Sequence, residues 1–267
     1  MKKQLSEIDV CMKYITPALE KAGWDIQTQI FREATLNEMV KGRIHVRGQL
    51  YKRAKTRRAD YILVVNNLPI AVVEAKKKTL HITSGMQQAK DYAERLDLLF
   101  AYSSNGVGFH EYDQTMTNGV LEQTIGLDDF PSPDELWRRY KKHKGISTDE
   151  VEQVITEEFF EYPDGKQPRF YQMVAINRTV EAIAKGQKRI LLVMATGTGK
   201  TMTAFQIIWR LKKAKKVNRV LFLADRNVLL KQAKTGDFRY FDDKIMTIVK
   251  NHKAEKQYEI YFALYQG

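Results

Sequence analysis

The segment Ala195-Thr196-Gly197-Thr198-Gly199-Lys200-Thr201 follows the apolar run Ile190-Leu191-Leu192-Val193-Met194 and precedes an amphipathic stretch, Met202 to Leu211. Apolar strand, glycine turn, Lys-Thr and helix in that order make a phosphate-binding loop. Gly197 and Gly199 let the backbone curl until its N–H groups converge on phosphate oxygens, at a helix N-terminus that favours anions. Lys200 has the reach for β- and γ-phosphates, and the Thr201 hydroxyl suits Mg²⁺. ATP is the expected ligand of this loop, with Thr196 and Thr198 completing it. The generic pattern has a small residue where Met194 stands.

A second group of residues has the composition of a hydrolytic site. Asp60 opens one apolar β-run, Ala59 to Val65, and Glu74 and Lys76 lie on the next, Pro69 to Lys76. Residues two apart on a strand share a face, so Glu74 and Lys76 point the same way. The turn Asn66-Asn67 suits a hairpin that brings Asp60 beside them. Two converging carboxylates make a hard-oxygen site for Mg²⁺, and a nearby lysine stabilises charge developing on a phosphate. Phosphodiester hydrolysis needs those parts. The bare pattern Asp…Glu-x-Lys also arises by chance. Its weight comes from the apolar runs that hold both carboxylates, where an idle charge is costly.

The elements that must position these residues follow from periodicity. Ser6 to Ala22 has Ile8, Met12, Ile15 and Leu19 at helical spacing, and Gly23 ends it. Trp24 to Phe31 alternates as a strand would, and Arg43 to Leu50 reads as strand or loop. Ser84 to Leu96 reads as a helix with Gln88 and Tyr92 one turn apart. Leu98 to Tyr102 and Gly108 to Tyr112 read as short strands. Residues 131–168 are helical and charged, a connector, and Pro163 to Pro168 is the clearest boundary. Beyond it come helices Tyr171 to Lys185 and Asn227 to Lys234, with a strand Arg219 to Ala224 between them.

Composition narrows the partners. The chain has 267 residues, 43% hydrophobic and 28% charged, which describes a globular protein of about two domains. Its net charge of +12 favours a polyanion, nucleic acid first. One basic stretch runs Lys41, Arg43, Arg47, Lys52, Arg53, Lys55, Arg57, Arg58 without an acid between, and a second holds Arg138, Arg139, Lys141, Lys142 and Lys144. Each alone would be an ordinary solvated face; beside a phosphate loop they point to DNA-backbone contact. Cys11 is the sole cysteine, so no internal disulfide forms, which fits a reducing cytoplasm, and Cys11 reads as core. No signal peptide and no membrane-spanning run is evident.

Asp60, Glu74-Ala75-Lys76 and Gln88-x-x-x-Tyr92 resemble the PD-(D/E)xK nuclease core in its RecB-like form. Ala195-Thr196-Gly197 resembles the nucleotide loop of superfamily-two helicases and translocases. A nuclease ahead of such a motor resembles the restriction (R) subunit of type I restriction-modification enzymes. Glu7 to Trp24 is similar to that family's first helix, and the resemblance covers nearly the whole chain. It implies that Asp60 and Glu74 hold Mg²⁺ with help from the Ala75 carbonyl, and that Lys76 acts at the attacked phosphate. Gln88 and Tyr92 would support the site or contact DNA. Glu7 is the candidate for a further acid on the first helix, in competition with Asp9 and Glu20. Ala59 stands where the family usually has proline.

In the second half, Arg169-Phe170-Tyr171-Gln172 resembles an adenine-reading motif with Gln172 on the base, although a glutamine at a helix start has the same appearance. Leu223-Ala224-Asp225-Arg226 resembles a DNA-backbone motif with Arg226 on the phosphate, and Arg57 and Arg58 are further DNA-contact candidates. The expected fold is α/β: a mixed-sheet nuclease domain over 1–130, the connector over 131–168, and a partial parallel-sheet RecA-like domain over 169–267. The expected function is ATP-driven translocation on double-stranded DNA with Mg²⁺-dependent cleavage, in complex with methyltransferase (M) and specificity (S) subunits. The alternatives are a helicase–nuclease of DNA repair or another phage-defence system, and a DNA-binding module with a degenerate nuclease site. No Asp-Glu-x-His motif occurs before Gly267, and Asp242-Asp243 lacks a preceding apolar strand. A fragment of a longer protein, without useful ATP turnover of its own, is the expectation.

Overall fold

The computed structural model describes residues 5–35, 44–47, 50–53, 58–117, 119–249 and 255–266. Arg57 lies outside them, as does much of the first basic stretch. The chain divides into two compact units, one of residues 1–147 with 169–171, the other of 148–168 with 172–267. The stretch read as a single connector is thereby split within itself, at 147/148.

The first unit opens with a capping box. Ser6 Oγ accepts from the Asp9 N–H at 3.1 Å, and Asp9 Oδ2 accepts from the Ser6 N–H at 2.9 Å. Helix α1 (Glu7–Val10) runs through a π turn, Cys11–Ile15, into α2 (Thr16–Lys21). A π turn takes one residue more than an α turn and rotates the side chains before it relative to those after it. The buried set is therefore Val10, Cys11, Ile15, Thr16, Ala18 and Leu19, while Ile8 and Met12 are each 61% exposed. The inward face expected from a straight α period is corrected at those two residues. Cys11 is buried and free, as a core residue.

The strand expected from Trp24 begins only at Ile30. Asp25 Oδ1 accepts from the N–H groups of Gln27 and Thr28 and turns the chain there. Trp24 is buried, its Nε1 donating to the Pro131 carbonyl at 2.9 Å. Strands β1 (Ile30–Thr35), β2 (Ile44–Arg47), β3 (Leu50–Arg53), β4 (Arg58–Val65), β5 (Leu68–Ala75), β6 (Phe100–Ser104), β7 (Gly108–Asp113) and β8 (Glu122–Gly126) follow. Six form one sheet in the order β1-β4-β5-β6-β7-β8, and β2 pairs β3 separately. Only β5–β6 is parallel, the return crossing through helix α3 (Met86–Leu96). The β4–β5 turn is tight because Asn66 and Asn67 both accept positive φ, 49° and 65°.

Every residue of β5 except Pro69 is buried, so this strand is the spine of the unit. Helix α4 (Pro133–Lys144), capped by Ser132, is held to β7 by Arg139. Its Nη1 lies 3.3 Å from Glu111 Oε1 and 3.2 Å from Asp113 Oδ2, and both acids are 1% exposed.

The second unit holds helices α5 (Asp149–Thr156), α6 (Phe170–Ala184, from Gln172 onward), α7 (Lys200–Lys213) and α8 (Asn227–Thr235). Its strands β9 (Val220–Ala224), β10 (Met246–Ile248) and β11 (Ile260–Leu264) form a parallel sheet in the order β10-β11-β9. Phe205, Phe238 and Phe262, all 0% exposed, fill its core. Polar residues on the buried side of α7 hold the segment before α6. Gln206 pairs both backbone groups of Phe160, at 2.9 and 3.0 Å, and Arg210 donates to the Ile155 carbonyl and to Asn177 Oδ1.

The strand expected at Ile190–Met194 is absent. That segment pairs with none of the described strands, and Leu191 and Val193 are 85% and 88% exposed. An apolar run becomes a strand only where a neighbour takes its backbone N–H and C=O groups. Asp242 belongs to a turn, its Oδ1 accepting from the Lys244 N–H at 2.9 Å, with strand β10 after it and not before.

Candidate active site

Asp60 sits near the start of β4 and Glu74 near the end of β5, so the antiparallel pairing of these strands sets the two carboxylates side by side. Glu74 is 3% exposed. The Ala75 N–H donates to Asp60 Oδ2 at 2.7 Å, and the Lys76 N–H donates to the Ser104 carbonyl on the other side, at 2.8 Å. Successive backbone groups point to opposite edges of a strand, and the N–H and C=O of one residue point to the same edge. The Ala75 carbonyl is therefore directed toward β4 and Asp60.

Lys76 Nζ donates to Glu74 Oε1 at 2.8 Å and to Gln88 Oε1 at 3.2 Å. Gln88 Nε2 donates to Tyr92 Oη at 3.2 Å, and Tyr92 Oη donates to the Arg58 carbonyl at 2.8 Å. The sequence motifs on β4, β5 and α3 thus form one hydrogen-bonded chain that returns to the strand it started from.

Burial, then the charge of Asp60, raises the Glu74 carboxyl from its usual 4.5 to about 7. Burial likewise raises Asp60, against the lowering effect of the Ala75 N–H and Lys76. For Lys76, burial lowers the ammonium's pKa, but Glu74 outweighs it and the net direction is up. Glu7, an exposed residue of α1, raises both Asp60 and Lys76 through its charge, so it lies within electrostatic reach of this site. Asp9 is spent on the capping box and on Lys13, 3.9 Å away.

Glu74 Oε2 is buried with no hydrogen-bond partner. A buried carboxylate oxygen in that state is normally satisfied by an ion or a water. Among the described residues no three His, Cys, Asp or Glu side chains gather as a metal cluster. A cation here would take two carboxylates and the Ala75 carbonyl, a hard-oxygen set that suits Mg²⁺. The residues present fit that ion.

Two residues the sequence reading passed over complete the floor. Ser103 on β6 is the register partner of Glu74 and is 0% exposed. Gly85 ends the 3₁₀ turn Ile82–Gly85 that leads into α3. The only sequence signal for Ser103 is a polar pair, Ser103-Ser104, ending an apolar strand.

In the second unit Gly197 and Gly199 have φ of 78° and 83°, as a curled phosphate loop requires. Lys200 Nζ lies 3.4 Å from the Met194 carbonyl and 3.2 Å from that of Ala195, and Thr198 Oγ1 donates to the Ala195 carbonyl. Gln172 is 5% exposed and its Nε2 donates to the Thr198 carbonyl at 2.8 Å, so it contacts the loop itself. Thr201 lies in the first turn of α7 and Thr196 in the exposed loop. Arg58 and Arg226 are exposed, with Arg226 at the N-cap of α8.

Comparison with known proteins places both halves. Residues 4–119 match the family described as type I restriction enzyme R protein N terminus, and residues 165–267 the family described as type III restriction enzyme, res subunit. The chain is 47% identical over 265 residues to the type I restriction enzyme EcoAI endonuclease subunit of Escherichia coli, covering 98% of this chain and 32% of that protein. It is 29% identical over 225 residues to the EcoKI endonuclease subunit of E. coli K12, covering 66% of this chain and 18% of that one. A solved fragment assigned as the HsdR subunit of a type I restriction enzyme from Vibrio vulnificus YJ016 superposes with a TM-score of 0.81 at 39% identity, over 99% of this chain and 48% of that one. The chain thus spans about a third of the length of the EcoAI relative.

Proposed function

Because the chain belongs to the type I restriction enzyme R protein family, we propose that it carries the DNA-cutting site and part of the ATP-driven motor of such an enzyme. The observation that carries this reading is the buried, partnerless Glu74 Oε2 beside Asp60 and Lys76. Asp60, Glu74 and the Ala75 carbonyl would hold Mg²⁺, which supplies Lewis acidity at a phosphodiester and a more acidic water. Lys76, fixed between Glu74 and Gln88, brings its positive charge to the phosphate as negative charge builds in the transition state. Gln88 and Tyr92 keep that ammonium from straying to solvent. Glu7 adds negative charge at the rim, which favours a divalent cation.

In the second unit Thr196 to Thr201 would take the phosphates of ATP and its Mg²⁺. Lys200 then exchanges backbone carbonyls for phosphate oxygens, and Gln172 couples the start of α6 to the loop. Arg57, Arg58 and Arg226 are proposed contacts to the backbone of double-stranded DNA. The whole protein is proposed to translocate that DNA in the cytoplasm with M and S subunits, which would choose the sequence. No helix among the described residues is long and apolar enough to cross a membrane.

Calorimetric titration of Mn²⁺, an Mg²⁺ surrogate, tests the site. Saturable binding in the wild-type chain that vanishes in Asp60→Ala is the expected result. Equal binding in both, or none in either, would sink the assignment.

A further inference from the structure

The geometry points to Ser103 and Gly85 as positioning residues for the nuclease site, acting on Lys76 through the first turn of α3. Ser103 Oγ donates to the Ile82 carbonyl at 2.7 Å and accepts from the Gly85 N–H at 3.0 Å. One buried hydroxyl thus grips both ends of the turn that launches the helix. Gln88 stands three residues beyond Gly85 and is the second acceptor of the Lys76 ammonium. The height of α3 above β5 therefore sets where that ammonium sits.

Gly85 fixes the same height from the other side. A Cβ there would lie 2.7 Å from Ser103 Oγ, 3.1 Å from Glu74 Cγ and 3.2 Å from Lys76 Cε. The backbone φ is ordinary, –95°, so glycine is needed for closeness and not for conformation. Any side chain would lift the turn off the carboxylate and lysine it now touches. Displacements of about 1 Å at a reacting centre cost on the order of a hundredfold in rate.

The inference rests on the nuclease reading above, and the experiment separates the two. Cleavage of double-stranded DNA and hydrolysis of ATP are measured with the full-length protein in its complex. The variants are Ser103→Ala, Gly85→Ala, the double variant and Asp60→Ala. Each single change should slow cleavage about tenfold or more. In Ser103→Ala the Mg²⁺ concentration for half-maximal cleavage should stay put, because the metal-holding carboxylates are untouched. ATP hydrolysis should be unchanged, and the double variant should cut at the rate of the slower single one, since both act through one displacement. Cleavage by Ser103→Ala at the wild-type rate would overturn the inference. So would single losses that multiply in the double variant, which mark independent action, or a parallel loss of ATP hydrolysis, which marks general damage. An inactive Asp60→Ala beside a fully active Ser103→Ala defeats this inference alone. A fully active Asp60→Ala defeats the nuclease reading itself.

Discussion

Burial and the adjacent Asp60 hold the Glu74 carboxyl at about 7, so without metal it is protonated in mildly acidic solution and exchanges its proton near neutral pH. Because the folded-state value lies above the usual 4.5, this group stabilises the fold fully below about pH 4.5. That stabilisation is lost as pH rises through about 7. In a chelator the melting temperature of the wild type should fall across that window more than that of Glu74→Gln. A cation inverts the balance, since it replaces the proton. Mn²⁺ affinity should therefore climb as pH approaches about 7 and level off above it, with proton release on binding. Affinity independent of pH between 5 and 8 would contradict this. Asp60, Glu74 and Lys76 were legible in the sequence because a charge inside an apolar β-run is rare without a purpose. Ser103 and Gly85 were not, because their meaning lies in distances between elements far apart in the chain.

At the level of elements, one guanidinium ties α4 to β7, beside the helix's buried Leu136, Trp137 and Tyr140. Arg139 serves Glu111 and Asp113 on β7 and also Glu135 on its own helix, at 2.8 Å. Removing one partner of a buried ion pair leaves an uncompensated charge, at a cost of about 3–5 kcal/mol. Arg139→Ala should lower the urea midpoint of the first unit accordingly, and Arg138→Ala, at an exposed position, should barely move it. Equal shifts would show that burial is not the deciding factor. From sequence, Arg139 belonged to a basic cluster facing DNA; the acids that claim it stand 26 and 28 residues earlier. The hairpin, α3 and α7 were readable because each is encoded locally, by turn chemistry or periodicity. Strands β3, β8, β10 and β11 were missed. Three of β8's five residues, Glu122, Gln123 and Thr124, are charged or polar, and it has no buried residue. β10 is three residues long. Strands β8 and β10 exist through their neighbours' hydrogen bonds more than through their own composition; β11, Ile-Tyr-Phe-Ala-Leu, is an apolar β-prone run whose composition did carry the signal.

For the whole molecule, the net charge of +12 would set the manner of the proposed DNA binding more than its specificity. If about four phosphates are neutralised, affinity should fall roughly a hundredfold between 50 and 200 mM salt, with no preference among sequences. A fluorescence titration over that range measures the slope, and a flat line would remove the basic stretches from the interface. The division into two units was visible in outline, since the sequence placed one chemistry in each half. Its boundary was less visible: α4 and α5 are both charged helices, and only their packing partners separate them.

The π turn at Cys11–Ile15 makes the spacing of the first helix a matter of residue count as well as residue type. Loss of an exposed residue within it, Met12 or Lys13, would let the segment close into an unbroken α-helix while the residues on either side keep their faces, because the π turn spends its extra residue on a single turn. The same loss inside α1 or α2 has no such slack and turns everything before it by about 100° around the axis. This one stretch of the helix is therefore where a single-codon deletion is absorbed, and where chains of the same fold can differ in length without changing which residues face the sheet.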